Sequence, residues 1–401
     1  MIPTSALKSL HLANDGKLIL IVLDGLGGLP HPDTGLTELE SARTPNLDLL
    51  AREGIVGLSE PVGPGITPGS GPGHLALFGY DPIAGNIGRG ALSALGIGLD
   101  LAPEDIGVRL NFCTIDGDGN VADRRAGRIS TDLNRGLVAD LSAIEIDGVE
   151  IELVTESQHR AVLVLRGAGL HPAVRETDPQ LTGVPPLAPD ALAPEAAATE
   201  AILRRFLDGV REVIGDRSPA NFVLMRGYAG LPALESLEEI YGVRSACVAA
   251  YPMYKGLATI AGMEVLDTGD TLPGEVAALQ RHWDDYDFFF FHFKATDSLG
   301  EDGNFDGKVA AIEEVDAAIP EIVRLGPAAL AVTGDHSTPS RLRQHSWHPV
   351  PFLLHAEHVV PDAATVFGER ACGSGSLGIF PARNTMSLLA GYAGRLKKFG
   401  A

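Results

Sequence analysis

The amino-acid sequence predicts an α/β protein: a mostly parallel sheet with helices on both faces, interrupted by a smaller β-rich domain. Three observations carry this prediction. Apolar runs of strand length each lead to an aspartate, helical stretches lie between those runs, and the middle of the chain has short alternating strands separated by glycine and aspartate turns. The chain has 401 residues, 45% of them hydrophobic. That is ample for a large core, and the length favours about two domains.

The predicted strands of the main sheet share one pattern, in which an apolar run is followed by an aspartate near its carboxyl end. The runs and their aspartates are Leu18–Leu23 with Asp24, Asp287–Phe293 with Asp297, and Ala328–Val332 with Asp335. A run that is apolar on both faces is typical of a central parallel strand. Because open α/β sheets bind ligands at the carboxyl ends of their strands, we expect the three aspartates to converge.

The helices and the inserted domain are predicted from the stretches between these strands. Helical patterns cover Thr44–Glu53, Pro194–Ile214, Gly274–Trp283 and Lys308–Val323. From Val108 to Thr182 the pattern changes to short alternating strands, and no long helix is expected there. The segment Pro179–Pro194, rich in proline and alanine, is predicted to lead back to the main domain. We therefore expect residues 108–187 to form an inserted domain, and residues 1–107 and 188–401 to form the main one.

The charge of the chain limits its partners. The formal net charge is −21, which argues against a nucleic-acid partner and against an anionic membrane surface. It does not argue against a phosphorylated substrate, because a local basic pocket can lie within an acidic molecule. The sequence carries no signal for an oligomeric state.

The cysteines and the apolar runs predict the compartment. Cys113, Cys247 and Cys372 are far apart and lack the CxxC spacing, so we expect free thiols in a reducing cytoplasm. The N-terminal residues contain no apolar stretch of signal-peptide length, and no apolar run reaches 18 residues. We therefore expect a cytoplasmic protein with no membrane-spanning helix.

Polar residues after strands and in glycine-rich loops form a candidate metal centre. They are Asp24, Ser70, Asp297, Glu301, Asp335, His336 and His345. Carboxylate oxygens and imidazole nitrogens suit Mn²⁺, Zn²⁺ or Mg²⁺. Two such ions can stabilise the attacking and leaving oxygens of an in-line phosphoryl transfer. Ser70 lies in Thr67–His74, which is predicted as a loop because of its glycines and prolines, and a metal would activate its hydroxyl as a nucleophile.

Each of these residues also has a purely structural interpretation. An aspartate followed by glycine after a strand is most often a turn or a helix cap. A serine flanked by glycine is usually a loop residue, and His336 alone could be a hydrogen-bonded core histidine. The metal-site interpretation depends on these residues occurring together in one chain, each after a predicted strand or in a glycine-rich loop.

The order of the motifs resembles one known family. Asp24-Gly25 after the first strand is followed by Ser-x-x-Gly-His, Asp-x-x-Gly-acid, Thr-x-Asp-His and His-Ser-x-x-Pro-Val-Pro. This order is similar to that of the cofactor-independent phosphoglycerate mutases of the alkaline phosphatase superfamily. Stretches such as VLDGLGG, GRGALSALG, DRRAGRI, TDSLGEDGN and DHSTPS resemble the archaeal-type branch, and the resemblance extends from Lys17 to Ala401.

The resemblance implies a fold, an activity and a set of ligands. The fold would be an alkaline-phosphatase-like domain interrupted by a smaller domain that holds substrate as a lid. The activity would interconvert 3-phosphoglycerate and 2-phosphoglycerate, a step of glycolysis and gluconeogenesis, through a phosphoserine at Ser70 and without 2,3-bisphosphoglycerate. One metal would be bound by Asp24, Ser70, Asp335 and His336, and the second by Asp297, Glu301 and His345. Mn²⁺ is the expected ion, with Mg²⁺, Zn²⁺ and Co²⁺ as alternatives.

Two departures from the family pattern keep a second activity open. Glu301 stands where the family usually has histidine, and Gly71 stands where an acidic residue often follows the nucleophile. A phosphomonoesterase, or a phosphotransferase similar to homoserine kinase, is the alternative on the same scaffold. His348 is the alternative ligand for the second metal if Glu301 is a solvated acid.

A small phosphorylated carboxylic acid needs cations in its pocket, and arginine suits both of its anionic groups. The candidates are Arg124, Arg125, Arg128, Arg226 and Lys255, and His74 is a further candidate beside Ser70. The first three match a family motif that lies near the substrate. The alternative interpretation is that these side chains pair strands, stabilise loops or face solvent.

Overall fold

The computed structural model describes residues 2–84, 88–231 and 234–400. The strands in chain order are β1 Leu18–Leu23, β2 Ile55–Glu60, β3 Ile106–Ile115, β4 Val121–Asp123, β5 Glu150–Ser157, β6 Arg160–Arg166, β7 Phe222–Ala229, β8 Ser245–Ala249, β9 Glu264–Val265, β10 Phe288–Phe293, β11 Ala329–Thr333, β12 Val350–Ala356 and β13 Gly378–Pro381. The helices are α1 Thr4–Leu10, α2 Glu38–Ser41, α3 Pro45–Glu53, α4 Ser70–Leu77, α5 Arg89–Gly96, α6 Thr131–Leu141, α7 Ala197–Ile214, α8 Leu237–Tyr241, α9 Pro252–Ile260, α10 Leu272–Arg281, α11 Ala295–Glu301, α12 Phe305–Val323, α13 Glu369–Gly373 and α14 Thr385–Tyr392.

The chain folds into two compact units. The first consists of Met1–Asn86 and Leu234–Ala401, and the second of Ile87–Ala233. The second unit is wider than the insertion expected at 108–187, because strand β7 pairs with β3 from Cys113 opposite Phe222 to Gly107 opposite Ala229. Helix α7 also packs into the core of this unit through residues such as Phe206.

The first unit is built on an eight-stranded sheet in the order β13-β2-β12-β11-β1-β10-β8-β9. Strand β1 lies in its middle, pairs in parallel with β10 and β11, and is buried along its whole length. Only β12 runs antiparallel to both of its neighbours. The predicted mixed α/β fold with a large, mostly parallel sheet is therefore confirmed.

The register of the central strands brings their carboxyl ends together. Leu23 at the end of β1 lies opposite Phe293 at the end of β10, and Val22 lies opposite Thr333 at the end of β11. The residues that follow these strands therefore start from one edge of the sheet, as expected for a parallel arrangement.

The second unit contains a separate antiparallel sheet in which β3 pairs with β4, β6 and β7, and β5 pairs with β6. The prediction that this region has no long helix is wrong, because α6 has 11 residues. Ser130 caps it by accepting a hydrogen bond from the Leu133 amide, and Leu137, Val138 and Leu141 bury one face. That cap and spacing are ordinary helix signals.

The cysteines agree with the prediction of free thiols. Cys113, Cys247 and Cys372 are buried and unpaired. Within the described ranges, no helix combines the length and the apolar character that crossing a membrane requires.

Candidate active site

Asp24, Asp335 and His336 form a fully buried group at the carboxyl ends of β1 and β11. The Nε2 atom of His336 lies 3.3 Å from Oδ1 of Asp24 and 3.2 Å from Oδ2 of Asp335. The Gly25 amide donates a hydrogen bond of 3.1 Å to the other oxygen of Asp335, so the loop after β1 holds that carboxylate in place.

Ser70 lies beside this group as the first residue of α4, and its Oγ is 3.2 Å from Nε2 of His336. The prediction of a loop across Thr67–His74 is therefore wrong from Ser70 onward. Pro72 is tolerated because an amide in the first helical turn has no acceptor within the helix. Gly73 is needed for packing, since a Cβ there would overlap the carbonyl oxygen of Asp335. Gly73 thus lets α4 approach the end of β11.

The position of Ser70 at the start of a helix also affects its electrostatics. Amide groups at a helix N-terminus point outward without helical acceptors and favour negative charge nearby. An anionic group on the Ser70 side chain would therefore lie in a favourable field.

Asp297, His336 and His345 form a second group of close ligand atoms. Nε2 of His345 lies 3.6 Å from Oδ1 of Asp297, and its ring stacks on His336 with 3.7 Å between ring centroids. Nδ1 of His345 lies 3.0 Å from the carbonyl oxygen of Pro68. Because a carbonyl only accepts, Nδ1 is the donor in this bond, and Nε2 is left with a lone pair in the neutral ring.

Glu301 and His348 both lie outside the two groups of close ligand atoms. Asp297 and Glu301 lie one turn apart on helix α11. The Glu301 side chain is 56% exposed, with Oε1 3.7 Å from Nε2 of His345. Burial and the nearby Asp297 carboxylate raise its pKa. Nδ1 of His348 is 3.0 Å from the Ser346 hydroxyl, and its ring stacks on Trp347.

Lys294 and Tyr254 are site residues that the sequence analysis missed. The Lys294 ammonium lies 3.0 Å from Oδ2 of Asp24 and also hydrogen-bonds Asp297. The hydroxyl of Tyr254 donates to Asp24 as well. Lys294 directly follows β10, just as Asp24 directly follows β1. Its position directly after a predicted strand was the signal in the sequence that could have identified this cationic side chain.

The protonation states of the buried group suit a cation. Burial would raise the pKa of Asp24, but Lys294, His292 and His336 outweigh it and hold that pKa well below its usual range. The pKa of Asp335 is also lowered, since His336 and His74 outweigh its burial and the neighbouring Asp24. Burial lowers the pKa of His336. Two carboxylates and one neutral imidazole are the forms that bind divalent metals.

Unsatisfied oxygen atoms show that a metal ion fits this group. Oδ1 of Asp24 and Oδ2 of Asp335 are buried and lack a hydrogen-bond partner among the described residues. A buried carboxylate oxygen without a partner is costly, and a divalent cation between these oxygens would remove that cost. The donor set of carboxylate, imidazole and hydroxyl matches the preferences of Mn²⁺, Mg²⁺ and Zn²⁺.

The structure does not bring His74 and Lys255 to an open part of this site. His74 is fully buried, with Nδ1 2.8 Å from the Ser70 carbonyl oxygen and 3.1 Å from Oδ2 of Asp335. It lies on the buried face of α4 and helps to hold Ser70 and Asp335. Lys255 lies on α9 and interacts electrostatically with Glu275, outside both groups of metal-type ligands.

The second unit contains a strongly basic cavity of about 360 Å³. It is lined by Arg89, Arg109, Asn111, Arg124, Arg125, Arg128, Gln158, His159, Arg160 and Arg226. Four of the arginines proposed from the sequence are therefore brought together. The missed members include Arg109 and Asn111, which alternate with apolar residues along β3 and so share one face of the strand. That alternation was the available signal.

Ion pairs hold some of the arginine side chains of the cavity in place and leave the charge of others available to a ligand. Asp178 accepts two hydrogen bonds from Arg124, of 2.9 and 2.7 Å, and lies 3.4 Å from Arg226. Neither Arg125 nor Arg128 makes an ion pair within the described residues, so their charge is available to an anion. Burial and the surrounding arginines, Arg160 first among them, lower the pKa of His159 to about 4, so this histidine is neutral at physiological pH.

A serine hydroxyl beside buried carboxylates and imidazoles has the groups that metal-assisted phosphoryl transfer uses, and comparison with known proteins agrees. The family model for 2,3-bisphosphoglycerate-independent phosphoglycerate mutase matches residues 51–221. A probable enzyme of that name from Thermus thermophilus is 51% identical over 98% of both chains. Another from Aquifex aeolicus is 48% identical over 97% of this chain and 98% of its own.

Solved structures show the same relationship. A cofactor-independent phosphoglycerate mutase from Thermoplasma acidophilum matches with a TM-score of 0.73 and 32% identity, covering 94% of this chain and all of its own. A protein from Pyrococcus horikoshii matches with a TM-score of 0.84 and 31% identity, covering 97% of this chain and 100% of its own. The chain belongs to the family of 2,3-bisphosphoglycerate-independent phosphoglycerate mutases. Membership implies dependence on a divalent metal.

Proposed function

We propose that this chain interconverts 3-phosphoglycerate and 2-phosphoglycerate through a phosphoserine at Ser70, at a site with two divalent metal ions and without 2,3-bisphosphoglycerate. The observation that carries the proposal is the position of Ser70. Its Oγ lies at the start of α4 and 3.2 Å from Nε2 of His336, beside Asp24 and Asp335. Family membership supports the substrate.

The two groups of close ligand atoms support the assignment of the metals. Asp24, Asp335 and His336, with Ser70, would hold the first ion; Asp297 and His345, with Glu301, would hold the second. Bound there, divalent ions would supply positive charge for the oxygens around the phosphorus and favour the ionised serine. Mn²⁺ is the ion we expect, because carboxylates predominate among these ligands.

The chain's own groups near Ser70 prepare the hydroxyl for attack. Oγ of Ser70 lies 3.2 Å from Nε2 of His336, so the serine oxygen and the imidazole lone pair can face the same ion, and a bound ion would favour loss of the Ser70 proton. The start of α4 favours the negative charge of a phosphoserine. The Lys294 ammonium, next to Asp24 and Asp297, adds positive charge at the same edge of the sheet.

The reaction balances as two transfers of one phosphoryl group. In the first, the Ser70 oxygen forms a bond to phosphorus while the bond from phosphorus to O3 of the substrate breaks. In the second, O2 of the retained glycerate forms a bond to phosphorus while the bond from phosphorus to the Ser70 oxygen breaks. In each transfer the attacking hydroxyl loses one proton and the leaving oxygen gains one, so Ser70 ends as the free hydroxyl. Hydrolysis competes at the intermediate stage, so the site must exclude water.

We assign substrate binding to the arginine cavity of the second unit. Phosphoglycerate carries a phosphate and a carboxylate, and a planar guanidinium can make paired hydrogen bonds to either group. Arg125 and Arg128 are the foremost candidates because they have no ion-pair partner among the described residues. Arg124 and Arg226 are oriented by Asp178.

A coupled assay tests the proposal. Purified protein with Mn²⁺ should convert 3-phosphoglycerate into the substrate of enolase without added 2,3-bisphosphoglycerate. Ser70→Ala should abolish turnover, and mass spectrometry of the wild-type protein with substrate should find phosphate on Ser70. The matched control is Ser245→Ala, a buried serine on β8 whose hydroxyl bonds to the Val243 carbonyl, and it should keep its activity. Phosphate on another residue would refute the nucleophile assignment.

Glu301 and Gly71, the two departures from the family pattern, are the reason to test two competing activities. A phosphomonoesterase, or a phosphotransferase similar to homoserine kinase, would use the same serine with a different acceptor. In a panel of phosphate esters and acceptor alcohols, release of inorganic phosphate from many unrelated esters would favour hydrolysis. Isomerisation of 3-phosphoglycerate without release of inorganic phosphate would exclude hydrolysis as the main activity.

A further inference from the structure

Thr338 connects the two groups of close ligand atoms through its hydroxyl. This side chain is fully buried two residues after His336. Its Oγ1 lies 2.6 Å from Oδ1 of Asp297 and 3.0 Å from Nδ1 of His336. Asp297 belongs to the second group of ligand atoms, and His336 belongs to both.

The single proton of the Thr338 hydroxyl decides which atom donates and which accepts in these two hydrogen bonds. The Thr338 hydroxyl donates its single proton to Oδ1 of Asp297. The same oxygen must then accept from His336, which requires the proton of the neutral imidazole to be on Nδ1. Nε2 is left with its lone pair directed toward Asp24, Asp335 and Ser70. One hydroxyl therefore fixes both a histidine tautomer and a carboxylate orientation.

The surrounding backbone holds Thr338 in place for this role. Its amide donates to the carbonyl oxygens of Gly25 and Gly27, both at 3.1 Å. Its own carbonyl accepts a 2.9 Å hydrogen bond from the fully buried Lys308, which also bonds the Gly25 carbonyl. Gly25 has a φ of +64°, and a Cβ at this position would overlap the Thr338 hydroxyl and approach Asp297. The loop after β1 thus leaves room for the hydroxyl.

We propose that Thr338 is a positioning residue that couples the two metal sites by fixing the tautomer of His336 and the orientation of Asp297. The inference rests on the proposed metal-dependent function. Groups that hydrogen-bond to metal-binding histidines and carboxylates set ligand orientation, and their loss typically lowers metal affinity about 10- to 100-fold. Here a single hydroxyl acts on ligands of both ions.

Metal titration of Thr338→Val tests this coupling, because valine keeps the shape and removes the hydroxyl. Calorimetric titration of chelator-treated protein with Mn²⁺ should show both affinities lowered together by about 10- to 100-fold. Thr338→Ser should restore them. The matched control is Thr385→Val, a buried threonine whose hydroxyl has no hydrogen-bond partner in the described part of the chain. It should bind Mn²⁺ as the wild type does, and an equal loss there would overturn the proposal.

Nitrogen NMR of the metal-free protein, labelled at histidine, reports which ring nitrogen of His336 carries the proton. A general packing defect would not change that tautomer. The His336 signals, assigned by their absence in His336→Gln, should show the proton on Nδ1 in the wild type and in Thr338→Ser. Thr338→Val should shift them toward the other tautomer. If Thr338→Val keeps both the wild-type tautomer and the wild-type Mn²⁺ affinities, the positioning role is refuted. A wild-type protein that binds no metal at all would instead refute the proposed function.

Discussion

His336 belongs to both groups of close ligand atoms, but one neutral imidazole offers one lone pair. Its Nδ1 is taken by Thr338, and its Nε2 faces Asp24, Asp335 and Ser70. The ring therefore serves the first site. The second site is left with Asp297 and His345, which is too few ligands for a tightly held ion. The carboxylate of Glu301, 3.7 Å from His345, is a candidate to complete it.

Substitution of Glu301 should therefore act on one metal only. Glu301→Gln should weaken binding of the second ion while the first remains bound, because the amide keeps the shape and loses the charge that hard ions prefer. Glu301→His should shift the preference of that site toward Zn²⁺ or Co²⁺, for which imidazole is a good donor. Titration with each ion, read as stoichiometry and affinity, measures both effects.

The competing ligand for this site is His348, which stacks on Trp347 outside both groups. His348→Ala is therefore the comparison variant, and we expect it to bind two ions as the wild type does. Unchanged stoichiometry in Glu301→Gln, together with loss of one ion in His348→Ala, would mean that the second site is wrongly assigned.

At the scale of elements, the sequence predicted the sheet better than it predicted the segments that carry Ser70 and Asp297. The apolar runs of β1, β10 and β11 are continuous, so their burial and the convergence of their ends follow from composition. The Ser70 segment was predicted as a loop because glycine and proline disfavour helices, and no helix was predicted for the Asp297 segment. Both form helices, and Gly73 and Gly300 let these helices pack against the Asp335 and Thr338 backbones, where a Cβ would overlap a carbonyl oxygen. Such contacts between distant segments leave no local signal.

The close approach of α4 to the end of β11 gives a prediction about Gly73. A methyl group there would overlap the carbonyl oxygen of Asp335, so Gly73→Ala should move α4 and carry Ser70 away from His336. Overpacking of this kind typically costs about 1–3 kcal/mol in the free energy of unfolding. We expect that loss of stability in urea unfolding, together with a large fall in kcat.

The control is the same substitution in a helix with free space. Gly136 lies inside α6, and a Cβ there would meet nothing within 4 Å. Gly136→Ala should be neutral or should stabilise the protein by up to about 1 kcal/mol through helix propensity. A Gly73→Ala variant that is as stable and as active as Gly136→Ala would show that the close contact does not constrain α4.

At the scale of the whole molecule, the candidate metal ligands and the basic cavity lie in different units. The candidate metal ligands all lie in the first unit, and the arginine cavity lies in the second. The net charge of −21 gave no sign of this cavity, because clustered arginines are outnumbered by acids elsewhere in the chain. The sequence did identify Arg124, Arg125 and Arg128, through a motif. It could not identify Arg160 or His159, which join them only when β6 pairs with β3.

This division predicts that metal and substrate protect different parts of the chain from hydrogen exchange. In Ser70→Ala, which cannot turn over, Mn²⁺ should slow exchange in peptides after β1 and β11 and in α11, because bound ligand raises the cost of local opening. 3-Phosphoglycerate added without metal should slow exchange around residues 109–128 and 158–160. Arg125→Ala combined with Arg128→Ala should remove the substrate effect and leave the Mn²⁺ effect, since neither arginine belongs to a group of close ligand atoms. Protection of the strand-end peptides alone by 3-phosphoglycerate would contradict the assignment of substrate binding to the second unit.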